Sequence, residues 1–145
     1  MASGFVEPLE ATGIAWFVTC SETLSKLLKN RYYDEDIIKR YNSLITMYVE
    51  DVQDFVDVHY SLSNRNDTEF WKYQTSRPRH GRLQARLDSY RKSMPNKNNR
   101  STDYPWAFND ISWLDILNAY EFQFDDVKVP ESYDFMRMPE LFVRY

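Results

Sequence analysis

The sequence predicts a mainly helical fold, and two observations carry that prediction. Apolar residues recur at three- and four-residue steps over much of the chain, which is the period of one helix face. Residues that commonly cap helices precede most of these periodic segments. Hydrophobic residues make up 43% and aromatic residues 17% of the 145 residues, so one domain has enough apolar material to form a core. We therefore expect a single helical domain over residues 1–145.

The first two helices are predicted from long apolar stripes. The segment from Ala11 to Leu28 places its apolar residues on one face of a helix, and Pro8 belongs to the turn before it. These residues are Ile14, Phe17, Val18, Leu24, Leu27 and Leu28. A second helix is expected from near Asp34, whose carboxylate could cap free amides, to about Leu62. Its stripe contains Ile37, Tyr41, Leu44, Tyr48, Val52, Phe55 and His59.

Two shorter helices should follow. The third begins after the turn at residues 64–67, with Asp67 or Thr68 as its cap, and ends before Pro78. The fourth covers residues 80–93, where Leu83, Leu87 and Tyr90 form a narrow buried stripe among charged residues.

The last part of the chain contains one more predicted helix. Residues 94–104 are expected to form a mobile polar loop. A helix then runs over residues 111–120, with Asn109 or Asp110 as its cap and with Trp113, Ile116 and Leu117 buried. Residues 121–145 read as an irregular tail that contains prolines and aromatic residues.

Composition excludes several classes of function. The net charge of −4 gives no basic field for nucleic acid or an anionic membrane surface, and no apolar run is long enough to span a bilayer. Only three glycines are present, so a dinucleotide fingerprint and a phosphate-binding loop are absent. The single cysteine, Cys20, cannot form an internal disulfide. With no export signal apparent, we expect a cytoplasmic protein.

Three sequence blocks resemble one enzyme family. Residues 4–14 read GFVEPLEATGI, which is similar to the G-F-[VI]-[ED]-P-L-E-[SA]-T-[GS]-[IL] signature of flavin-dependent tryptophan halogenases. Residues 55–71, FVDVHYSLSNRNDTEFW, resemble that family's F-I-x-x-H-Y-x-L-x-x-R-x-D-[TS]-x-[FY]-W stretch. Residues 108–117, FNDISWLDIL, resemble its later F-x-x-x-S-W-x-x-[VI]-[LM] helix. The blocks occur in family order and span most of the chain.

The resemblance implies a halogenation chemistry. Family members use reduced FAD, oxygen and a halide ion to make hypohalous acid, which halogenates an electron-rich aromatic ring; a flavin reductase is an indirect partner. The family's glycine fingerprint, tunnel lysine and W-x-W-x-I-P stretch would all lie upstream of the GFVEPLEATGI block. The chain is therefore expected to be the helical C-terminal part of such an enzyme, without its Rossmann-type FAD domain, and inactive alone.

The first block supplies the candidate site residues. A helix that begins near Thr12 presents free amides and the positive end of its dipole, which attract an anion. The resemblance implies that the amides of Thr12 and Gly13 bind halide, that the flavin lies against Gly13 and Ile14, and that Glu10 is the catalytic carboxylate. From the residues alone, an ordinary capped helix start and a Glu10 that caps the first turn stay open.

Other polar residues have simpler interpretations. His59 is expected to be a core histidine hydrogen-bonded to a neighbour, and His80 to lie in a charged surface context without a function. The histidine and cysteine spacing forms no metal site. The arginine-rich run from Arg77 to Arg91 is expected to be a solvated helix face.

Substrate and partners are less sharply defined. The region before the last helix lacks the aromatic and acidic set of tryptophan-specific members, so an indole- or phenol-like substrate is expected. A gene that is split or truncated would leave a helix face exposed, which predicts pairing with the missing flavin-binding half or formation of a homo-oligomer. Two alternatives stay open: an inactive helical interaction module, and a flavin monooxygenase that uses no halide.

Overall fold

The chain folds into helices packed around one long central helix. A computed structural model describes residue 6 and residues 12–29, 35–95 and 107–125. Within these ranges there are five α-helices and no strand, so the mainly helical prediction is confirmed. The helices are α1 (Thr12–Lys29), α2 (Glu35–Ser61), α3 (Glu69–Ser76), α4 (Gly81–Lys92) and α5 (Asp110–Ala119).

Side-chain caps fix where the three short helices begin. The side chain of Thr68 accepts from the amide of Trp71, and the side chain of Asn109 accepts from the amide of Ser112. Of the two alternatives predicted at each of these positions, Thr68 and Asn109 are the caps. The imidazole of His80 caps α4. The cap predicted for α2, Asp34, lies outside the described residues.

The main core forms where α2, α4 and α5 meet. Its buried residues are Phe55, Val58, Leu83, Leu87, Trp113 and Leu117. Trp113 and Leu117 are fully buried as predicted, whereas Ile116 is only partly buried and Leu114, not predicted, is 2% exposed. Burial of one such aliphatic side chain stabilises a fold by about 1.5–3 kcal/mol, so this cluster holds α4 and α5 on α2.

A second cluster begins two turns earlier on α2, at Tyr48, and extends to the level of the first cluster. Tyr48, Val52 and Val56 are buried there, and Val6 and Trp16 pack against them. This contact places Trp16, near the beginning of α1, and Val6 against the middle of α2. Ala107 and Phe108, which lead into α5, pack against the same cluster.

The segments around α5 are partly described. Met94 and Pro95, the first residues of the loop predicted over 94–104, are buried, and residues 96–104 lie outside the described ranges. After α5 the chain turns at Glu121, whose φ is 53°, and the amide of Asp125 donates to the carbonyl of Arg91 at 2.8 Å. Residues 126–145 of the predicted tail are outside the described ranges. None of the described helices is both long and apolar enough to cross a membrane.

Candidate functional site

The predicted halide and flavin residues lie in the first turn of α1. Thr12 is 3% exposed, Gly13 is partly buried, and Ile14 is 73% exposed. The first turn contains no acidic residue, so no side chain within it opposes the positive end of the helix dipole. The predicted site residues Thr12, Gly13 and Ile14 thus lie side by side, and they join a residue shielded from solvent, Thr12, to one exposed to it, Ile14. Glu10 lies outside the described residues, and its role stays a prediction.

Helix α1 packs on α2 through its more polar face. Trp16 packs against the cluster around Tyr48, and the phenol of Tyr48 is hydrogen-bonded to Thr19. Cys20 lies on the same face, is hydrogen-bonded to Trp16, and has a pKa raised by burial. The hydroxyl of Thr23 turns back to the carbonyl of Thr19 at 2.7 Å. The face that contacts α2 therefore contains hydroxyl and thiol groups as well as apolar ones.

The first part of α1 directs a row of apolar residues away from α2. Exposure is 73% at Ile14, 64% at Phe17 and 46% at Val18, and we call these three residues the outer face of α1. Further along the helix, Leu24 and Leu28 are only 43% and 48% exposed, and they line a small apolar cavity with Ile37, Ile38 and Tyr41 of α2. An amphipathic helix normally buries its apolar residues, so the exposed outer face has the form of a second packing surface.

Buried acids of α2 pair with the arginines of α4. Asp51 is fully buried; its Oδ1 accepts from Arg86 Nη1 at 2.5 Å, and its Oδ2 accepts from the amide of Ala107 at 2.9 Å. Arg86 also lies over the ring of Trp113, with 4.8 Å from its Cζ to the ring centroid. One carboxylate therefore links α2, α4 and the segment that leads into α5.

The next acid, one turn along α2, is also fully buried. Arg82 Nε donates to both oxygens of Asp54, at 3.1 and 3.0 Å, and the same Asp54 Oδ1 lies 3.1 Å from His80 Nε2. His80 Nδ1 accepts from the amide of Leu83 at 3.2 Å. Because Nδ1 is an acceptor, Nε2 carries the proton, and His80 connects the start of α4 to the buried carboxylate of Asp54.

Asp57 completes this row of acids. Its Oδ1 accepts from Arg77 Nη2, while its Oδ2 is shielded from solvent and forms no hydrogen bond. A depression of about 660 Å³ opens beside it. The depression is lined by Val6, Gln53, Val56, Asp57, Tyr60, Gln74, Arg77, His80, Gly81 and Arg82.

These contacts correct two sequence interpretations. The arginines between Arg77 and Arg86 do not form a solvated face, because the buried acids of α2 draw Arg77, Arg82 and Arg86 inward and Ser61 accepts from Arg79 at 3.1 Å. His80 is not an uninvolved surface residue either, since it caps α4 and contacts Asp54. The acids of α2 recur every three residues, and the arginines of residues 77–86 recur at similar steps. This matching pattern was the sequence signal for the ion pairs.

The interpretation of His59 is confirmed. Its Nδ1 is 2.6 Å from the carbonyl oxygen of Phe55, and its ring meets the Phe55 ring edge-on with centroids 5.0 Å apart. No group of three or more His, Cys, Asp and Glu side chains within the described ranges could hold a metal ion.

Comparison with known proteins decides the family. The sequence model of the tryptophan halogenase family matches residues 1–129. The chain belongs to this family. The matched range includes all three sequence blocks, the first turn of α1 and the α2–α4 ion pairs.

Individual relatives agree with the family match. The chain is 32% identical to the tryptophan 6-halogenase ThaL of Streptomyces albogriseolus over 95 residues, which are 66% of this chain and 18% of that protein. Among solved structures, it is similar to the flavin-dependent halogenase BrvH of Brevundimonas sp. BAL3, at 30% identity with a TM-score of 0.71, over 84% of this chain and 24% of BrvH. It is also similar to a tryptophan halogenase of Shewanella frigidimarina, at 29% identity with a TM-score of 0.72, over 87% of this chain and 25% of that one.

The shared region is a minor part of each relative. The chain spans about a fifth of the length of the curated halogenases that it matches. Most of each relative is thus polypeptide that has no counterpart in these 145 residues.

Proposed function

We propose that this chain forms the substrate-side portion of a flavin-dependent halogenase that acts on an electron-rich aromatic ring, such as an indole or a phenol. The observation that carries the proposal is the arrangement of α1. Its first turn combines a buried Thr12 with a highly exposed Ile14, and the helix continues with an uncovered apolar face within the described ranges. Both features lie inside the range that matches the family.

The halide is proposed to bind at the amides of Thr12 and Gly13. Helix α1 has 18 residues, so its aligned peptide dipoles place a partial positive charge at this end. An anion at such an end is stabilised by this partial charge and by the backbone N–H groups of the first turn, which point outward along the helix axis. The burial of Thr12 supports the proposal because removal of water strengthens the attraction between an ion and nearby dipoles.

Gly13 and Ile14 fit a planar cofactor beside the halide. Gly13 has no side chain to hold a ring away from the backbone, and the exposed Ile14 offers an apolar contact. Reduced FAD, when bound there with oxygen, would supply the oxidising chemistry that converts the halide to hypohalous acid. Most of the cofactor would be held by a flavin-binding portion, since this chain has only three glycines and no dinucleotide fingerprint.

Glu10 is proposed as the catalytic residue on the substrate side. Its carboxylate would orient the halogenating species or accept the proton that the ring carbon loses when it bonds to halogen. Withdrawal of water raises the basicity of a carboxylate, which suits a proton acceptor. Glu10 precedes the buried Thr12 by two residues, which keeps it close to the proposed halide position.

The outer face of α1 is proposed to pair with the flavin-binding portion. Its three exposed apolar side chains form the kind of surface that an intact domain buries. A reductase would supply reduced flavin without contacting the chain stably. A homo-oligomer that buries the same face is the other possible outcome of a binding test, and it would favour the interpretation as an interaction module.

The proposal is tested by reconstitution. The full chain is mixed with the flavin-binding portion of a relative such as ThaL, then supplied with reduced FAD, oxygen, bromide and an indole, and the products are analysed by mass spectrometry. We expect a brominated indole and a complex on a sizing column. Glu10→Ala should lower product formation on the order of 10²-fold or more while flavin oxidation continues. Glu22→Ala, on the exposed surface of α1, is the matched control and should change neither.

Two results would contradict the proposal. A complex that oxidises flavin but brominates no aromatic compound would remove the halogenase assignment. An unchanged yield with Glu10→Ala would remove Glu10 from the mechanism and leave the rest of the proposal in place.

A further inference from the structure

We infer that the depression beside Asp57 is a binding site for a small organic carboxylate with an apolar body. It lies between α2, α3 and the beginning of α4, with Val6 at its edge. None of Thr12, Gly13 and Ile14 is among the described residues that line it, and the inference does not depend on halogenase activity.

The polar part of the wall contains several N–H donors. Gln74 uses its oxygen to accept from Arg77 Nε at 2.6 Å, so its amide nitrogen is the group left to bind a ligand. Arg77 donates through Nε and Nη2, and its Nη1 has no acceptor among the described residues. A wall of amide and guanidinium N–H groups suits an oxygen-rich anion, and the planar guanidinium suits a carboxylate in particular.

The beginning of α4 adds a further donor. His80 caps the amide of Leu83, which leaves the amide of Gly81 without an acceptor in the described part of the chain. A Cβ added at Gly81 would meet no atom within 4 Å, so the space over this helix start is open. The first turn of α4 has no acidic residue, and the helix dipole therefore favours negative charge there.

The acidic groups nearby have basic neighbours. Asp57 Oδ1 is bound by Arg77, and Asp57 Oδ2, which forms no hydrogen bond, lies 3.9 Å from His80 Nε2. Asp54, behind His80, is fully buried and held by Arg82, which also contacts Glu50 at 3.2 Å. The groups that an anion in the depression would bind are therefore the N–H donors of Gln74, Arg77 and Gly81.

The apolar part of the wall selects an organic acid over an inorganic ion. Val6 and Val56 form an aliphatic surface and Tyr60 adds an aromatic ring. A volume of about 660 Å³ is within the range of pockets that bind small molecules. A ligand with a carboxylate at one end and an apolar body at the other would match both parts of this wall.

Binding of benzoate to the full chain tests the inference. In a ¹⁵N-resolved NMR titration, benzoate should bind with a dissociation constant on the order of 1 mM and shift the amide of Gly81 and the side-chain amide of Gln74. Benzyl alcohol, a neutral analogue of similar shape, should bind at least tenfold more weakly. Chloride at the same ionic strength should cause no saturable shift at these two groups.

Substitutions locate the site. Gln74→Glu keeps the oxygen that accepts from Arg77 but replaces the free amide with a negative charge, so it should weaken benzoate binding at least tenfold without unfolding the chain. Gln123→Glu makes the same charge change at an exposed position away from the depression and should leave binding unchanged. Gly81→Phe should also block binding, because its side chain would enter the open space.

Three outcomes would overturn the inference: no saturable shift with benzoate, equal binding of benzyl alcohol, or equal loss of affinity with Gln74→Glu and Gln123→Glu. These results concern equilibrium binding to this chain. They are therefore independent of whether a reconstituted complex halogenates an aromatic ring.

Discussion

Replacement of Asp51 by asparagine should destabilise the chain strongly. The carboxylate is 0% exposed and accepts from Arg86 at 2.5 Å and from the amides of Ala107 and Phe108 at 2.9 and 3.4 Å. Asparagine retains one acceptor oxygen and places an NH₂ group against the remaining donors. Arg86, whose side chain is 12% exposed, would lose its counter-charge at 2.5 Å, and Asp54 Oδ2 lies farther away, at 3.7 Å.

The expected loss follows from these contacts. A hydrogen bond to a charged group contributes about 1.5–3 kcal/mol, and removal of one member of a buried ion pair costs about 3–5 kcal/mol. Since asparagine preserves one of the contacts, we expect Asp51→Asn to lower the free energy of unfolding by about 3 kcal/mol. That is a large part of the roughly 5–15 kcal/mol typical of a domain.

Urea unfolding of the full chain, followed by circular dichroism, measures this loss. The control is Asp88→Asn, since Asp88 accepts a single bond from Gln84 on the surface of α4 and should cost under about 1 kcal/mol. In a double-mutant cycle with Arg86→Gln, direct pairing predicts a coupling energy of at least about 1.5 kcal/mol. Additive effects, or equal losses for Asp51→Asn and Asp88→Asn, would show that the buried pair of Asp51 and Arg86 does not stabilise the fold.

Two further substitutions test the outer face of α1 and a desolvated acid. Phe17→Glu should change the free energy of unfolding by under about 0.5 kcal/mol, because Phe17 is 64% exposed. The same substitution should abolish binding to the flavin-binding portion on a sizing column. The control Ala15→Glu should leave this binding intact. Burial raises the pKa of the Asp115 carboxyl, so the folded state binds the proton more tightly and stability falls as pH rises through that pKa. Asp115→Asn should therefore be more stable than the parent at pH 7 and lose this advantage at acidic pH; no pH dependence of the difference would contradict the assignment.

Much of the helical architecture could be predicted from the sequence because each helix has local signals. Of the five helices in the described ranges, apolar periodicity predicted α1, α2, α4 and α5, and a turn, a cap and Pro78 predicted α3. The caps Thr68 and Asn109 were among the residues predicted for those positions. The narrow stripe of α4 was also predicted, since Leu83 and Leu87 are buried. Signals of this kind depend on neighbours within a few residues, so they can be recognised in a single amino-acid sequence.

The ion pairs could not be predicted in the same way. Asp51 and Arg86 are 35 residues apart, and nothing local indicates that their helices face each other. Charged residues in sequence usually indicate solvent, which is why the arginine run was assigned to a solvated face. Those arginines are drawn inward by three acids on α2 whose three-residue spacing has meaning only once α4 packs there.

Which face of α1 contacts α2 could not be predicted from the local sequence either. Periodicity placed Ile14, Phe17 and Leu24 on one face but could not say what that face contacts. In the structure Ile14 and Phe17 point away from α2, which α1 meets through Trp16 and Thr19, whereas Leu24 lines a cavity with Ile37 and Tyr41 of α2. The candidate site itself came from a resemblance, because a helix start with Thr12 and Gly13 is by itself a common feature.

We propose that the beginning of α1 binds the halide of a halogenase. Anomalous X-ray scattering from bromide, in crystals of the chain bound to a flavin-binding portion, would locate this ion. We predict a bromide peak within hydrogen-bond distance, about 3.3 Å, of the amides of Thr12 and Gly13. Bromide peaks found only elsewhere, with these amides covered by protein, would contradict it.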